Sequence, residues 1–104
     1  MQLDIILRTH DQKSVHYRDF DYDKSDITQR CANSIHKAID GLDNVSIVTV
    51  DDHSSDETVS MLRNVIHLEG TGNNASLAKV FELAADSKAD LVYLIEDDYL
   101  HYPN

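Results

Sequence analysis

Short runs of apolar residues recur along the chain and are separated by more polar segments. Four runs rich in Ile, Val and Leu occupy residues 3–7, 45–50, 65–68 and 91–95. Nearly continuous apolar character over so short a length is typical of strands that are buried on both faces, as in a parallel sheet. The pattern therefore predicts four short strands of one parallel sheet.

Helical periodicity marks the segments between these runs, where apolar residues recur three and four positions apart and so share one helix face. The first face consists of Ile27, Cys31, Ile35, Ala38 and Ile39. The second, shorter face consists of Thr58, Val59 and Leu62. The third face consists of Leu77, Ala78, Phe81, Ala84 and Ala85. Each predicted helix thus has one apolar side that can pack on the sheet.

Polar residues and glycine mark the predicted helix ends. Asp26 is expected to cap the first helix, and Gly41 to end it. Ser54 and Glu57 form a capping box for the second helix. Asn73 or Asn74 is expected to cap the third helix.

The predicted order of elements is β-α-β-α-β-α-β, which indicates a parallel sheet with right-handed crossovers and helices on both faces. We therefore predict an α/β fold, a Rossmann-like three-layer sandwich that forms one domain over residues 1–104. We predict the strand order 3-2-1-4, because the richest polar clusters follow the first, second and fourth runs. This order brings the ends of those three strands together.

Composition narrows the class of partner. Nine basic and nineteen acidic residues give a net charge of −10, which argues against nucleic acid or an anionic membrane as the main partner. The single cysteine, Cys31, excludes an intrachain disulfide and fits a reducing compartment. No apolar run approaches the ~20 residues of a membrane span, and the start lacks a signal-peptide pattern. We therefore predict a cytoplasmic protein without a membrane span.

Polar clusters follow all four predicted strands. They occupy residues 8–11, 51–56, 69–74 and 96–98. In an open parallel sheet, ligands bind beyond the carboxyl ends of the strands, where the strand order reverses. We therefore expect a ligand site at this edge, with His10 and His53 at its rim. Three further histidines are expected at surface or edge positions: His36, His67 and His101.

The acidic triplet Glu96-Asp97-Asp98 is the first candidate metal site. Like charges this close are costly unless a cation, hydrogen bonds or water stabilise them. Carboxylate oxygens suit Mg²⁺ or Mn²⁺, which typically take one or two carboxylates together with substrate phosphates. On the triplet alone, a solvated acidic loop is the simpler interpretation.

Two further clusters could also have a structural role instead of a ligand-binding role. Asp51 and Asp52 could serve only the turn that follows the second strand. Gly70 and Gly72 precede a helix, so their amides could face a phosphate. They lack the third glycine of a dinucleotide-binding fingerprint, and the signal is weak by itself.

Taken in order, the segments at the strand ends match the motifs of one enzyme family. Residues 5–11 match an opening strand with an "IIPTYN"-like end, residues 48–58 a "VVDDGSTDDT" motif, and residues 72–76, loosely, an "NxGxxxARN" segment. Residues 94–100 match a strand that carries a DXD-type metal motif, here in the form Glu-Asp-Asp. Over essentially its whole length the chain thus resembles the nucleotide-binding half of a family 2 glycosyltransferase of the GT-A fold.

The resemblance implies a nucleotide site at the ends of the first two strands. Asp52, next to Asp51, would hydrogen-bond the imide of a uracil-like base. Arg8, Thr9 and His10 would lie against the base, with the His10 ring stacked on it. A UDP-sugar is therefore the favoured donor.

The resemblance also implies a divalent metal, Mn²⁺ or Mg²⁺, that bridges the diphosphate of the donor. Asp98 would bind the metal, and Asp97 would approach the ribose and assist at the metal. Glu96 would contact these ligands without binding the metal itself. Arg8 departs from the small residues of the family motif. It could contact phosphate or pair with Asp51, and the sequence does not choose between these.

The implied activity is glycosyl transfer, of a hexosyl or related group, from a nucleotide sugar to an unknown acceptor. In the family, the acceptor-binding half and the general base follow the acidic motif, whereas six residues follow Asp98 here. We therefore expect a donor half, as a fragment, a truncation or one part of a split protein, and activity of this chain alone stays open. No catalytic base is assigned, although Asp11 and Asp56 are nearby acids.

Two other functional classes fit parts of the pattern. A stand-alone nucleotide- or metal-binding module would have the same site but no turnover. The acceptor-binding half could be supplied by a second copy of the chain, in a homodimer, or by a separate second half. A receiver-like signalling domain would need an acid pair after the first strand and a phosphorylatable Asp after the third, whereas the pairs here follow the second and fourth.

Overall fold

The computed structural model describes residues 1–11, 24–70 and 72–97, which form an α/β fold. Its strands are β1 (Leu3–Thr9), β2 (Val45–Asp51), β3 (Val65–His67) and β4 (Leu91–Glu96). Its helices are α1 (Lys24–Ile39), α2 (Asp56–Val59) and α3 (Asn73–Asp86). Each predicted strand is present, and its ends lie within two residues of the prediction. The apolar runs therefore located the sheet correctly.

The four strands form one parallel sheet in the order β3-β2-β1-β4, which confirms the predicted order. In the register, Thr9 of β1 lies beside Asp51 of β2, and Arg8 lies beside Glu96 of β4. The carboxyl ends of β1, β2 and β4 therefore lie side by side. The order of the described strands differs from the flavodoxin-like order 2-1-3-4-5 of receiver domains, which argues against a receiver-like domain.

Two apolar cores lie on opposite faces of the sheet. On one face, Ile5 and Leu7 of β1 pack with Cys31 and Ile35 of α1. On the other face, Ile6 of β1 packs with buried residues of β2 and α3, namely Val50 and Val80. Alternate residues of β1 thus enter different cores, because successive side chains of a strand point to opposite faces. The result is the expected arrangement of helices on both sides of the sheet.

The predicted helix faces are shifted in two places. In α1, Thr28 and Ala32 are fully buried, whereas Ile27 and Ala38 are only partly buried. In α3, Val80 is buried, whereas Phe81, predicted to face the core, is one of the most exposed apolar side chains. His36 was expected at the surface and is buried instead.

Strand β4 is less buried than its apolar run predicts. Because β4 is an edge strand, Leu91, Tyr93 and Leu94 are all exposed, and only Ile95 is fully buried. Continuous apolar character therefore did not distinguish a central strand from an edge strand. Among the described helices, none is long and apolar enough to cross a membrane.

Three of the predicted helix caps are wrong, and one helix end is confirmed. Helix α1 begins at Lys24, so Asp26 lies inside its first turn and pairs with Arg30. The N-cap of α2 is Ser55, one residue after the predicted Ser54. The N-cap of α3 is Gly72, with φ 93°, so neither asparagine holds that position. The predicted stop at Gly41 is confirmed, because α1 ends at Ile39 and Gly41 adopts φ 80°.

Candidate functional site

The candidate site lies at the carboxyl edge of the sheet, where β1, β2 and β4 end together. The main chain of Asp52 is tied to the neighbouring strand, since its N–H donates to the Thr9 carbonyl at 2.9 Å. The segments that follow β1 and β2 are therefore held against each other. All the nucleotide-site residues that the sequence analysis predicted, Arg8, Thr9, His10, Asp51, Asp52 and Asp97, lie at this edge.

Asp51 and Thr9 form the buried foundation of the edge. Asp51 is only 1% exposed, and its Oδ1 accepts a hydrogen bond from the Thr9 hydroxyl at 2.6 Å. Its Oδ2 accepts from the Ser54 N–H at 3.0 Å, which shapes the turn after β2. Neither Asp51 nor Thr9 has side-chain surface that a ligand could reach here. Their contribution is to hold the turn that presents Asp52.

Asp52 is the central carboxylate of the site. Its side chain is 7% exposed, and the amide of Gly72 donates to Oδ2 at 3.0 Å. Gly72 is the N-cap of α3, so the positive end of that helix dipole faces the carboxylate. The Nδ1 atom of His53 lies 2.8 Å from Oδ1. The loop after β3 and the turn after β2 thus meet on this one side chain.

His10 lies beside Asp52 with its ring half-exposed. Its Nδ1 is 2.8 Å from the main-chain carbonyl of Asp52 and 3.6 Å from Oδ2 of the same residue. Because a carbonyl oxygen can only accept a hydrogen bond, Nδ1 is the protonated ring nitrogen and donates the hydrogen bond to that oxygen. The ring is thereby held at a defined angle at the edge of β1.

Asp97 joins three elements through its carboxylate. The Lys24 ammonium, at the start of α1, lies 2.8 Å from Oδ1. The His10 main-chain N–H and the Thr28 hydroxyl donate to Oδ2, at 2.7 and 3.1 Å. Lys24 and Asp97 are both buried, so this is an ion pair largely shielded from solvent. Asp97 therefore links the ends of β1 and β4 to α1.

The predicted metal ligands are only partly within the described residues. Both oxygens of Asp97 already bond to protein groups, with an ammonium on one of them. Among residues 1–11, 24–70 and 72–97, no group of three or more His, Cys, Asp or Glu side chains could hold a metal ion. Asp98, the predicted principal ligand, lies outside the described residues. The described side chains do not fit a metal centre by themselves.

Arg8 pairs with Glu96 across the β1–β4 boundary. Its Nη2 lies 2.5 Å from the Glu96 carboxylate, and its Nη1 donates to the Ser76 hydroxyl of α3 at 3.2 Å. The alternative pairing with Asp51 is not formed, because the carboxylate of Asp51 is satisfied by Thr9 and Ser54. Arg8 thus places a positive charge between the end of β1 and the start of α3.

Asp11, considered as a nearby acid, holds the start of α2 through its N-cap residue Ser55 and through Thr58. Its Oδ2 accepts from the Ser55 N–H at 3.0 Å, the Ser55 hydroxyl at 2.6 Å and the Thr58 hydroxyl at 2.7 Å. A buried carboxylate with three donors on one oxygen is a structural group. Asp56, the other acid considered, begins α2 and is exposed.

Sequence analysis missed Lys24 and Thr28, which hold Asp97. The spacing contained a signal, because Lys24, Thr28, Cys31 and Ile35 recur four, three and four residues apart, on the buried face of α1. A lysine on such a face needs an anionic partner. That partner lies 73 residues away in the sequence, and only the fold identifies it.

Comparison with known proteins does not identify a family. No protein-family model matches the chain, and no curated protein matches it significantly. The resemblance to glycosyltransferases therefore rests on the motifs and on the geometry of the strand ends.

Proposed function

We propose that the chain binds a nucleotide-diphosphate sugar at the carboxyl edge of the sheet and is the donor domain of a glycosyltransferase. One observation carries the proposal. The segments expected from the resemblance to bind the base and the ribose, ending β1, β2 and β4, converge at one edge. The β1–β4 boundary is also where the strand order reverses, which is the usual ligand crevice of such sheets.

Asp52 and His10 are the proposed base-binding residues. An ionised carboxylate has about four acceptor positions, and Asp52 uses one position on each oxygen within the protein. A position is therefore left for the imide N–H of a uracil-like base. The half-exposed His10 ring, fixed beside this carboxylate, offers a flat surface on which the base stacks.

Arg8 is the proposed contact for the diphosphate. A chain of net charge −10 disfavours a polyanion unless a local positive charge offsets the field. Arg8 supplies that charge at the β1–β4 boundary, and its partner Glu96 is an exposed carboxylate. A phosphate of the ligand can replace Glu96 as the partner of Arg8. The displaced Glu96 carboxylate is then solvated, so no buried charge is left unpaired.

The metal in this proposal rests on Asp98 and thus on the resemblance. A bound Mn²⁺ or Mg²⁺ would neutralise charge on the departing diphosphate. Asp97 has a different role in the proposal, because its carboxylate is taken by Lys24 and Thr28. It holds the main chain of His10 in place, and so acts on the base-binding end of the site.

A binding module without turnover is the second candidate. It would keep the nucleotide site without transfer, and among the described residues no general base is placed for a transfer step. Asp11, a buried acid two residues after the end of β1, already accepts hydrogen bonds on Oδ2 from Ser55 and Thr58. A donor domain and a binding module share the nucleotide site and differ in whether the sugar is released or transferred.

The test is calorimetric titration of the chain with a panel of UDP-, GDP- and CDP-sugars in Mn²⁺, followed by assay of sugar release. We expect binding of at least one uridine compound, and its loss in Asp52→Asn. The matched control is Asp43→Asn, which removes the same charge from an exposed turn at the amino edge of the sheet. Equal affinities of the two variants would contradict the proposal. Binding with sugar release would favour the donor domain over the binding module.

A further inference from the structure

His53 has an uncommon backbone conformation for a residue with a side chain. Its φ is 55°, and the only other described non-glycine residue with a positive φ is Asn64. The left-handed region costs an L-residue roughly 1–2 kcal/mol, and glycine is the usual occupant. Residue 53 thus carries a side chain at a position where the backbone conformation favours glycine.

The strain at His53 is imposed by the hydrogen bonds on each side of it. The Asp52 N–H donates to the Thr9 carbonyl, and the Ser54 N–H donates to the Asp51 carboxylate. The main chain before and after His53 is therefore tied to β1 and β2. The turn cannot relax to suit the side chain, and strain of this kind often marks functional sites.

The His53 side chain bonds to the central carboxylate of the site. Its Nδ1 lies 2.8 Å from Oδ1 of Asp52, while the Gly72 amide donates to Oδ2 from the opposite element. Two donors, one on each oxygen, set the rotation of the carboxylate. The His53 side chain is 51% exposed, so it does not contribute a buried core contact that would offset the strain.

We propose that His53 is a positioning residue of the nucleotide site. It holds the Asp52 carboxylate in the rotation that leaves a free acceptor position toward the base. This inference rests on the proposed function, since it concerns the same carboxylate. It adds that the residue at position 53 sets nucleotide affinity at a cost in fold stability.

This role predicts that replacing His53 changes the melting temperature and the nucleotide affinity in opposite directions. His53→Gly removes the backbone strain but also loses the hydrogen bond to Asp52, so the melting temperature of the ligand-free chain should rise by at most about 4–8 °C. The same variant loses the donor to Oδ1, so the affinity for uridine diphosphate should fall about fivefold, the equivalent of one hydrogen bond. A residue that serves only the fold would change the melting temperature and leave the affinity unchanged, or its replacement would lower both.

His53→Asn is the conservative variant, because asparagine tolerates a positive φ and its amide N–H can donate to Oδ1. It should restore most of the affinity that His53→Gly loses. Asn64→Gly is the matched control, since it changes the other non-glycine residue of positive φ, between α2 and β3. It should leave nucleotide affinity unchanged.

The experiment is calorimetric titration with uridine diphosphate in Mn²⁺, with ligand-free melting curves, for the unmodified chain and these three variants. A higher melting temperature with weaker binding in His53→Gly, and rescue by His53→Asn, supports the inference. Equal binding by the unmodified chain and His53→Gly, or a fall in both quantities, overturns the inference alone. No binding by the unmodified chain overturns the proposed function, and this inference with it.

Discussion

Replacing Lys24 with methionine leaves the Asp97 carboxylate buried without its cation. The side chains of Lys24 and Asp97 are only 7% and 12% exposed, and their charged atoms are 2.8 Å apart. Removing one partner of a buried pair typically costs about 3–5 kcal/mol, because the other charge remains uncompensated. Since the His10 N–H and the Thr28 hydroxyl still reach Asp97, we expect the lower end, about 3 kcal/mol.

The assay is thermal unfolding followed by circular dichroism, with the exposed pair of α1 as the control. A loss of about 3 kcal/mol should lower the melting temperature by at least about 12 °C. Arg30→Met breaks the Arg30–Asp26 pair, whose side chains are 72% and 54% exposed, and should lower it by at most about 4 °C. Methionine removes the charge and keeps an unbranched apolar side chain at both positions, so the two variants differ mainly in the burial of the pair that is broken.

A double variant separates the charge from the packing. Lys24→Met combined with Asp97→Asn removes both charges, so it should be more stable than Lys24→Met alone. Similar melting temperatures for Lys24→Met and Arg30→Met would refute the reasoning. Strict additivity of the two substitutions would refute it as well, because it would mean that the two side chains do not interact.

Two further predictions concern acid sensitivity and a helix cap. Burial, with a smaller effect from nearby Arg63, lowers the pKa of His36 below 6.5, so the unfolded chain binds a proton first. The stability that neutral His36 contributes is full above pH 6.5 and decreases as pH falls below it. His36→Leu should therefore flatten the decline of the unfolding free energy at acidic pH, which urea titrations at several pH values measure. Asp11→Ala leaves the Thr58 hydroxyl and the amide at the start of α2 without their acceptor, and should lower the unfolding free energy by about 1–3 kcal/mol in urea titrations. An unchanged midpoint for Asp11→Ala would show that the cap is dispensable.

The sheet was predictable because its signal is local. Each strand is a short apolar run, and the polar residues that end each run mark the edge where ligands bind. The strand order followed from one argument, that the clusters after β1, β2 and β4 should meet. The structure confirms that order.

The helix caps were less predictable because distant groups decide them. Ser54 and Ser55 are both good capping residues by type. Asp11, at the end of β1, accepts from Ser55, whereas Asp51 accepts from the Ser54 N–H, and this settles the cap on Ser55. Gly72 is the N-cap of α3 for a similar reason, since its amide is bound to Asp52, twenty residues earlier.

The chemistry of individual site residues was predictable in kind but not in detail. Residue type and position indicated acids at the strand ends. They did not show that the buried Asp51 carboxylate is hydrogen-bonded to Thr9, or that Asp97 is paired with Lys24. Such pairings join residues far apart in the chain, so they become visible only when the elements are assembled.

The central claim is a shared site for a nucleotide diphosphate and a divalent metal, and melting curves test it most directly. The chain is melted with Mn²⁺, with uridine diphosphate, and with both together. Each alone should have little effect, because the described side chains do not fit a metal centre by themselves and the diphosphate meets a net charge of −10. Together, at a hundredfold excess over the dissociation constant, they should add about 2.7 kcal/mol and raise the melting temperature by about 10 °C. Small additive shifts, or a large shift from Mn²⁺ alone, would contradict the account.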